Sequence, residues 1–203
     1  MKLYFSPGAC SLAPHIVLRE AGLTPVLVKV DLASHRTADG ADFHAVTPKG
    51  QVPLLELDDG SLLSEGPVIA QYIADQAGAT ALMPAAGTPQ RYRVMEWQNF
   101  VTSELHKGFA PLFDAEVNAE AKQRLASVLM KKLRWVDGQL ATSPFLTGAN
   151  FTAADAYLFV VTGWAGHVGL DLSALTNLQR FRAAVSERPA VREAMQAEGL
   201  AVR

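Results

Sequence analysis

Apolar residues recur at two spacings in the first part of the chain, and only one of them persists through the rest. Residues 2–5 form a short apolar run that stops at Ser6-Pro7-Gly8, and from Leu12 to Ala21 the apolar positions fall at helical spacing until Gly22 closes the segment. Val26 to Asp31 is rich in Val and Leu and predicts a second strand, so the first thirty or so residues read as a β-α-β unit with parallel strands. A turn at Thr47-Pro48-Lys49-Gly50 follows. Leu54 to Leu57, the turn Asp58-Asp59-Gly60-Ser61 and Leu62-Leu63 predict an antiparallel hairpin, because Asp-Gly supplies the positive φ angles that tight turns require. Ser64 to Ala77 is again helical and ends at Gly78. The order β-α-β followed by β-β-α implies an α/β domain over residues 1–78, a mixed four-stranded sheet with helices on its faces.

Residues 79–88 carry turn residues with little periodicity and read as a linker, and Thr88-Pro89 opens a helix with an N-cap hydroxyl and a first-turn proline. Beyond it, Gln90–Phe113, Glu120–Leu140, Thr152–Ala165, Leu175–Glu187 and Pro189–Glu198 all show helical periodicity with no strand between them. Residues 89–203 are therefore expected to form an all-α domain. Thr152-Ala153-Ala154-Asp155 has the form of a capping box, a device for starting a helix rather than for catalysis.

Composition narrows the function. With 49% apolar and 19% charged residues the chain buries a core, and a formal net charge of −2 with no block of five Lys/Arg lacks the footprint of a nucleic-acid binder. No apolar run reaches the length of a signal-peptide core or a membrane span. A single cysteine, Cys10, rules out a disulfide framework and a multi-cysteine zinc site and fits a reducing compartment. A cytoplasmic protein with small-molecule or protein partners, no metal, no nucleic acid and no membrane is expected.

Four places carry candidate chemistry, each with a plain structural alternative. Cys10 lies between a strand end and a helix start, where amides and the helix dipole favour thiolate, although a lone cysteine also serves as a small buried apolar group. Val52-Pro53 is either a cis bond that leaves the Val52 amide and carbonyl free to pair with a bound peptide, or a trans proline starting a strand. Ser64-Glu65-Gly66 opens a helix, so its amides suit a carboxylate and Glu65 an ammonium group, yet Ser64 or Glu65 as a simple cap explains the same residues. Asn99, Ser103 and His106 share a helical face, with Glu104 and Lys107 beside it, and such polar stripes commonly face water.

Taken together, Ser6-Pro7-Gly8-Ala9-Cys10-Ser11, Pro48-Lys49-Gly50-Gln51-Val52-Pro53, Ser64-Glu65-Gly66, Glu104-Leu105-His106-Lys107-Gly108 and Thr152-Ala153-Ala154-Asp155-Ala156-Tyr157 closely resemble the bacterial beta-class glutathione S-transferases over essentially the whole chain. The resemblance implies a thioredoxin-like N-terminal domain, a helical C-terminal domain with the electrophile pocket and dimer contacts, a homodimer, and glutathione as co-substrate to a hydrophobic electrophile. It also gives the four places roles. Cys10 would lie at the glutathione sulfur with Ala9 among the glutathione-binding residues, Val52 ahead of a cis Pro53 would pair with the cysteinyl backbone, and Glu65 and Gly66 would hold the γ-glutamyl end. Ser103, His106 and Lys107 would approach from the same subunit, and Asn99 and Glu104 from the facing one. His35 stands where many relatives carry Lys near the glycyl end, which makes the charge there sensitive to pH.

The implied chemistry is thiol activation. A cysteine-like thiol of pKa about 8.5 is only a few per cent thiolate at neutral pH, and lowering it by about two units needs roughly 2.7 kcal/mol. A charge-assisted hydrogen bond at about 1.5–3 kcal/mol plus a helix dipole at about 0.3–1 kcal/mol is the right size. Cys10, Ser11 and His106 are the candidate catalytic residues, with Tyr4 a further candidate because other classes of the superfamily use Tyr or Ser near the N-terminus. Cys10 is also expected to form a mixed disulfide with glutathione, giving disulfide-reductase or peroxidase side activity. Phe109, Phe113, Tyr157 and Trp164, with His167 nearby, are expected to wall the electrophile pocket. Two rivals remain: a non-catalytic binding protein on the same fold, and a monothiol glutaredoxin-like enzyme, for which Ala13 stands where a second cysteine would be.

Overall fold

The computed structural model describes residues 1–201 and divides into two compact units, Met1–Met83 with the C-terminal segment from Ser186, and Pro84–Val185. In the first unit β1 (Lys2–Phe5), α1 (Leu12–Glu20) and β2 (Val26–Asp31) form the expected β-α-β element, with β1 and β2 parallel. β4 (Leu54–Glu56) and β5 (Leu62–Ser64) are the antiparallel hairpin, closed by Gly60 at φ +82, and α2 (Gly66–Gln76) follows.

With a further strand, β3 (Arg36–Thr37), the sheet has five strands, not four, in the order β3-β2-β1-β4-β5. The added strand is antiparallel to β2 at the edge, and two residues are too few to show a period of two.

Register explains the two-faced core. Leu3 pairs with Leu55 and Tyr4 with Leu54, so successive residues of β1 and β4 point to opposite faces. Tyr4, Val30, Phe43, Val52 and Leu54 form one buried cluster, against which Ala9, Val28 and Val46 pack. Leu3, Ile16, Leu18, Leu55, Ile69 and Ile73 are completely buried, and α1 packs on α2.

α8 (Pro189–Ala197) packs on α1. Glu198, just beyond it, accepts the Gly8 N–H at 3.0 Å and meets His15 Nδ1 at 2.9 Å, while Arg188 grips Glu20 with two nitrogens at 2.5 and 2.8 Å.

The second unit is helical. Thr88 caps α3 (Pro89–Phe100) by accepting the Arg91 N–H, and Asn118 caps α5 (Ala119–Gln139) through the Ala121 N–H. The single helix expected over Gln90–Phe113 is instead α3, a π-helical turn at Val101–His106, and α4 (Lys107–Phe113). The Lys107 N–H reaches back five residues to the Thr102 carbonyl. The Thr102 and Ser103 hydroxyls donate to the carbonyls of Gln98 and Asn99, and side-chain bonds of this kind compete with the backbone ladder where the helix widens.

α6 (Ala153–Gly163) is buried along nearly its whole length and starts at the expected capping box. Asp155 accepts hydrogen bonds from the Leu146 N–H, the Thr152 N–H and the Thr152 hydroxyl at 2.8, 2.8 and 2.7 Å. α7 (Thr176–Ser186) completes the unit.

Candidate active site

In the first unit the loop from Ser6 to Ser11 is held from three sides. The buried Ser11 hydroxyl accepts the Ser6 N–H at 3.1 Å and donates to the Ser6 carbonyl at 3.2 Å, so it is committed to the loop's own backbone. Glu198 takes the Gly8 N–H, and Gly8 sits at φ +70, a conformation side chains rarely adopt. Cys10 is half-buried, and its thiol donates to the Val52 carbonyl at 3.3 Å.

The Val52-Pro53 bond is cis, which settles the alternative that the sequence leaves open. The Cys10 thiol and the carbonyl of Val52, two residues ahead of β4, lie side by side. The Tyr4 hydroxyl is engaged elsewhere: it donates to Glu56 at 2.8 Å, and its pKa is raised, first by burial and then by that bond.

Glu65 precedes α2 with φ +72, a backbone strain that persists only where the surroundings hold it. It caps nothing. Its exposed carboxylate meets Lys49 Nζ at 3.1 Å, and Lys49 also donates to Ser64. Gly66 has no side chain and Pro67 no N–H, so the first turn of α2 offers the amides of Gly66 and Val68 as anion donors. His35, at φ +51, places Nδ1 3.0 Å from the Gly50 carbonyl and rests against the His44 ring, with centroids 4.5 Å apart. The His44 contact has no sequence signal, since only the folded loop brings these rings together.

In the helical unit the π turn carries the polar stripe. Asn99 and Ser103 are exposed, as is Lys107. Glu104 is paired with Lys132 at 2.6 Å, which holds its carboxyl below the usual range. His106 is turned toward the unit's interior: Nδ1 lies 2.6 Å from the Tyr157 hydroxyl and the ring meets Trp164 edge-on at 4.8 Å. Burial, helped by the Lys107 charge, pushes its pKa down to about 4, so the ring is neutral at physiological pH.

Of the expected aromatic wall, Phe109 and Tyr157 are core residues, whereas Phe113 is half exposed and meets Trp164 edge-on. His167 is exposed. Among the described residues no cluster of three His, Cys, Asp or Glu is placed to hold a metal ion, and no helix is long and apolar enough to cross a membrane.

Comparison with known proteins agrees with this architecture. Residues 8–76 match the family described as glutathione S-transferase, N-terminal domain, and residues 119–197 match glutathione S-transferase, C-terminal domain. The chain is 48% identical to glutathione S-transferase GstA of Escherichia coli O157:H7 over 200 residues, 98% of this chain and 100% of that one. A sphingomonad glutathione S-transferase solved in complex with glutathione is 47% identical, with a TM-score of 0.94 over 99% of this chain and 100% of that one. The beta-class enzyme of Sphingomonas chungbukensis is 47% identical, with a TM-score of 0.95 over 99% and 100% of the two chains.

A thioredoxin-like unit with a mixed sheet, followed by a helical unit, is the glutathione S-transferase architecture. The chain belongs to the bacterial beta-class glutathione S-transferases, a family of enzymes.

Proposed function

We propose that this chain binds reduced glutathione, ionises its thiol and joins the sulfur to hydrophobic electrophiles, acting as a cytoplasmic homodimer. Residues 1–78 serve as the glutathione-binding domain, 79–88 as the linker and 89–203 as the part carrying the electrophile pocket and dimer contacts. The observation that carries this reading is the Cys10 thiol 3.3 Å from the Val52 carbonyl, beside the cis Pro53.

An extended peptide pairing with Val52 would claim that carbonyl with its own N–H, as an added strand does. The Cys10 S–H, beside that carbonyl, donates to the peptide's sulfur, where donation to a thiolate stabilises the anion. Ala9 lies in the same loop, and Ser11 supports it by holding Ser6. Glu65 takes the γ-glutamyl ammonium in exchange for Lys49, the amides of Gly66 and Val68 take the carboxylate, and His35 faces the glycyl end. His106 is the second hydrogen-bond partner of the sulfur, with Ser103 and Lys107 on its helix, while Asn99 and Glu104 act toward the facing subunit.

In conjugation the thiolate forms a carbon–sulfur bond, the halide departs with the carbon–halogen electron pair, and the thiol proton goes to solvent. With oxidised glutathione the Cys10 thiolate attacks one sulfur, a mixed disulfide forms, and one glutathione thiolate leaves. Turnover of an aromatic chloronitro substrate with glutathione tests the main reaction. No turnover by folded protein, with glutathione still bound, would leave a binding protein on this fold.

A further inference from the structure

The position of the proton on His106 can be read from its surroundings. Its Nδ1 and the Tyr157 hydroxyl oxygen are 2.6 Å apart, and Tyr157 is 6% exposed. Two proton arrangements fit such a contact: the phenol O–H donates to a bare Nδ1, or Nδ1–H donates to the phenol oxygen. Chemistry separates them. A bare imidazole nitrogen is a far stronger acceptor than a phenol oxygen, whose lone pair is drawn into its ring, and the phenol proton is the more acidic of the two donors. The separation is also shorter than the roughly 2.9–3.0 Å usual for an N–H donor, in keeping with an O–H donor.

The ring is neutral at physiological pH, so it carries one N–H, and with Nδ1 accepting, that hydrogen sits on Nε2. Trp164, edge-on at 4.8 Å, holds the plane.

We infer that Tyr157 is a positioning residue for His106: its hydroxyl donates to Nδ1 and fixes the tautomer in which Nε2–H is the ring's donor to a thiolate sulfur. The tautomer stands on this geometry and on the neutrality of the buried ring, whereas its use at sulfur rests on the role proposed for His106 above. It decides the sign of the effect. A neutral Nε2–H stabilises a thiolate and does not return a proton to it, because giving up that hydrogen would leave an imidazolate. The opposite tautomer would present a bare Nε2, which accepts from S–H and so favours the unreactive thiol.

Heteronuclear NMR of the histidine ring nitrogens in the ligand-free full chain distinguishes the two forms without glutathione. The expected result is the Nε2–H pattern for His106 in the wild type and a mixed pattern in Tyr157→Phe, which keeps the ring and removes the donor. Titration of bound-glutathione thiolate absorbance should then show the Tyr157→Phe midpoint about one pH unit higher, roughly ten-fold less thiolate below it. An Nδ1–H pattern in the wild type overturns the inference, as does a Tyr157→Phe variant with wild-type tautomer and midpoint. If the Nε2–H pattern is found but His106→Asn does not alter the midpoint, the tautomer holds and the proposed role of His106 at sulfur fails.

Discussion

Replacing Asp155 tests how much of the helical unit depends on one buried carboxylate. Asp155 is fully buried and serves two backbone N–H groups and one hydroxyl, so Asp155→Ala leaves three donors without an acceptor at the start of the buried helix α6. Each orphaned donor costs about 1–2 kcal/mol, which for three donors predicts a loss of about 3–6 kcal/mol, a large share of the roughly 5–15 kcal/mol that holds a typical domain folded. Asp155→Asn keeps one oxygen but aims an amide at one set of donors, and should lose about half as much.

The acid dependence has a defined sign. Burial pushes the Asp155 carboxyl from an ordinary 3.8 up to about 6 despite its three donors. A carboxyl whose pKa is higher folded than unfolded favours the folded state fully below the unfolded value, and that contribution is lost as pH rises through the folded one. The span corresponds to about 3 kcal/mol. The stability gap between wild type and Asp155→Asn should therefore widen as pH falls from 7 to 5, measured by urea unfolding followed by circular dichroism. An Ala variant within 1 kcal/mol of wild type, or a gap that narrows on acidification, would refute this reasoning.

Other expectations are as direct. Gly50→Ala places a Cβ 2.4 Å from the His44 ring at φ +58, so it should cost more than about 1 kcal/mol in a thermal melt and raise KM for glutathione by disturbing His35. Gly66→Ser brings its Cβ only to ordinary contact with Pro53 at 3.6 Å, and by adding a hydroxyl beside the carboxylate amides it should tighten glutathione binding several-fold by calorimetry. Because burial takes the His106 pKa down to about 4, the pH profile of kcat/KM for the electrophile at saturating glutathione should show one limb between pH 5 and 9, the ionisation of the bound thiol, and no second limb from His106. Its folded pKa lies below the unfolded one, so its contribution to stability is present above pH 6.5 and falls away below it, opposite to that of Asp155.

Much of the frame was legible because it is written in local patterns. Apolar spacing gave β1, α1, β2, the hairpin and the helices, and Thr88-Pro89 and Thr152 to Asp155 marked helix starts by chemistry that acts within one turn. β3 was not legible because two polar-edged residues carry no period. The π turn was not, because an inserted residue leaves the apolar pattern of Val101, Leu105 and Phe109 looking like an ordinary helix; the adjacent hydroxyls of Thr102 and Ser103 were the available hint. Contacts across long stretches, such as His106 with Tyr157, Lys132 with Glu104, or Glu198 with Gly8, depend on packing that spacing along one chain does not encode.

The most direct test of the central claim is the pH titration of thiolate absorbance for reduced glutathione bound to the wild-type protein, run beside Cys10→Ala and His106→Asn. The account predicts a midpoint about two pH units below the free-thiol value near 8.5, with a rise in each variant. A wild-type midpoint equal to that of free glutathione would contradict it.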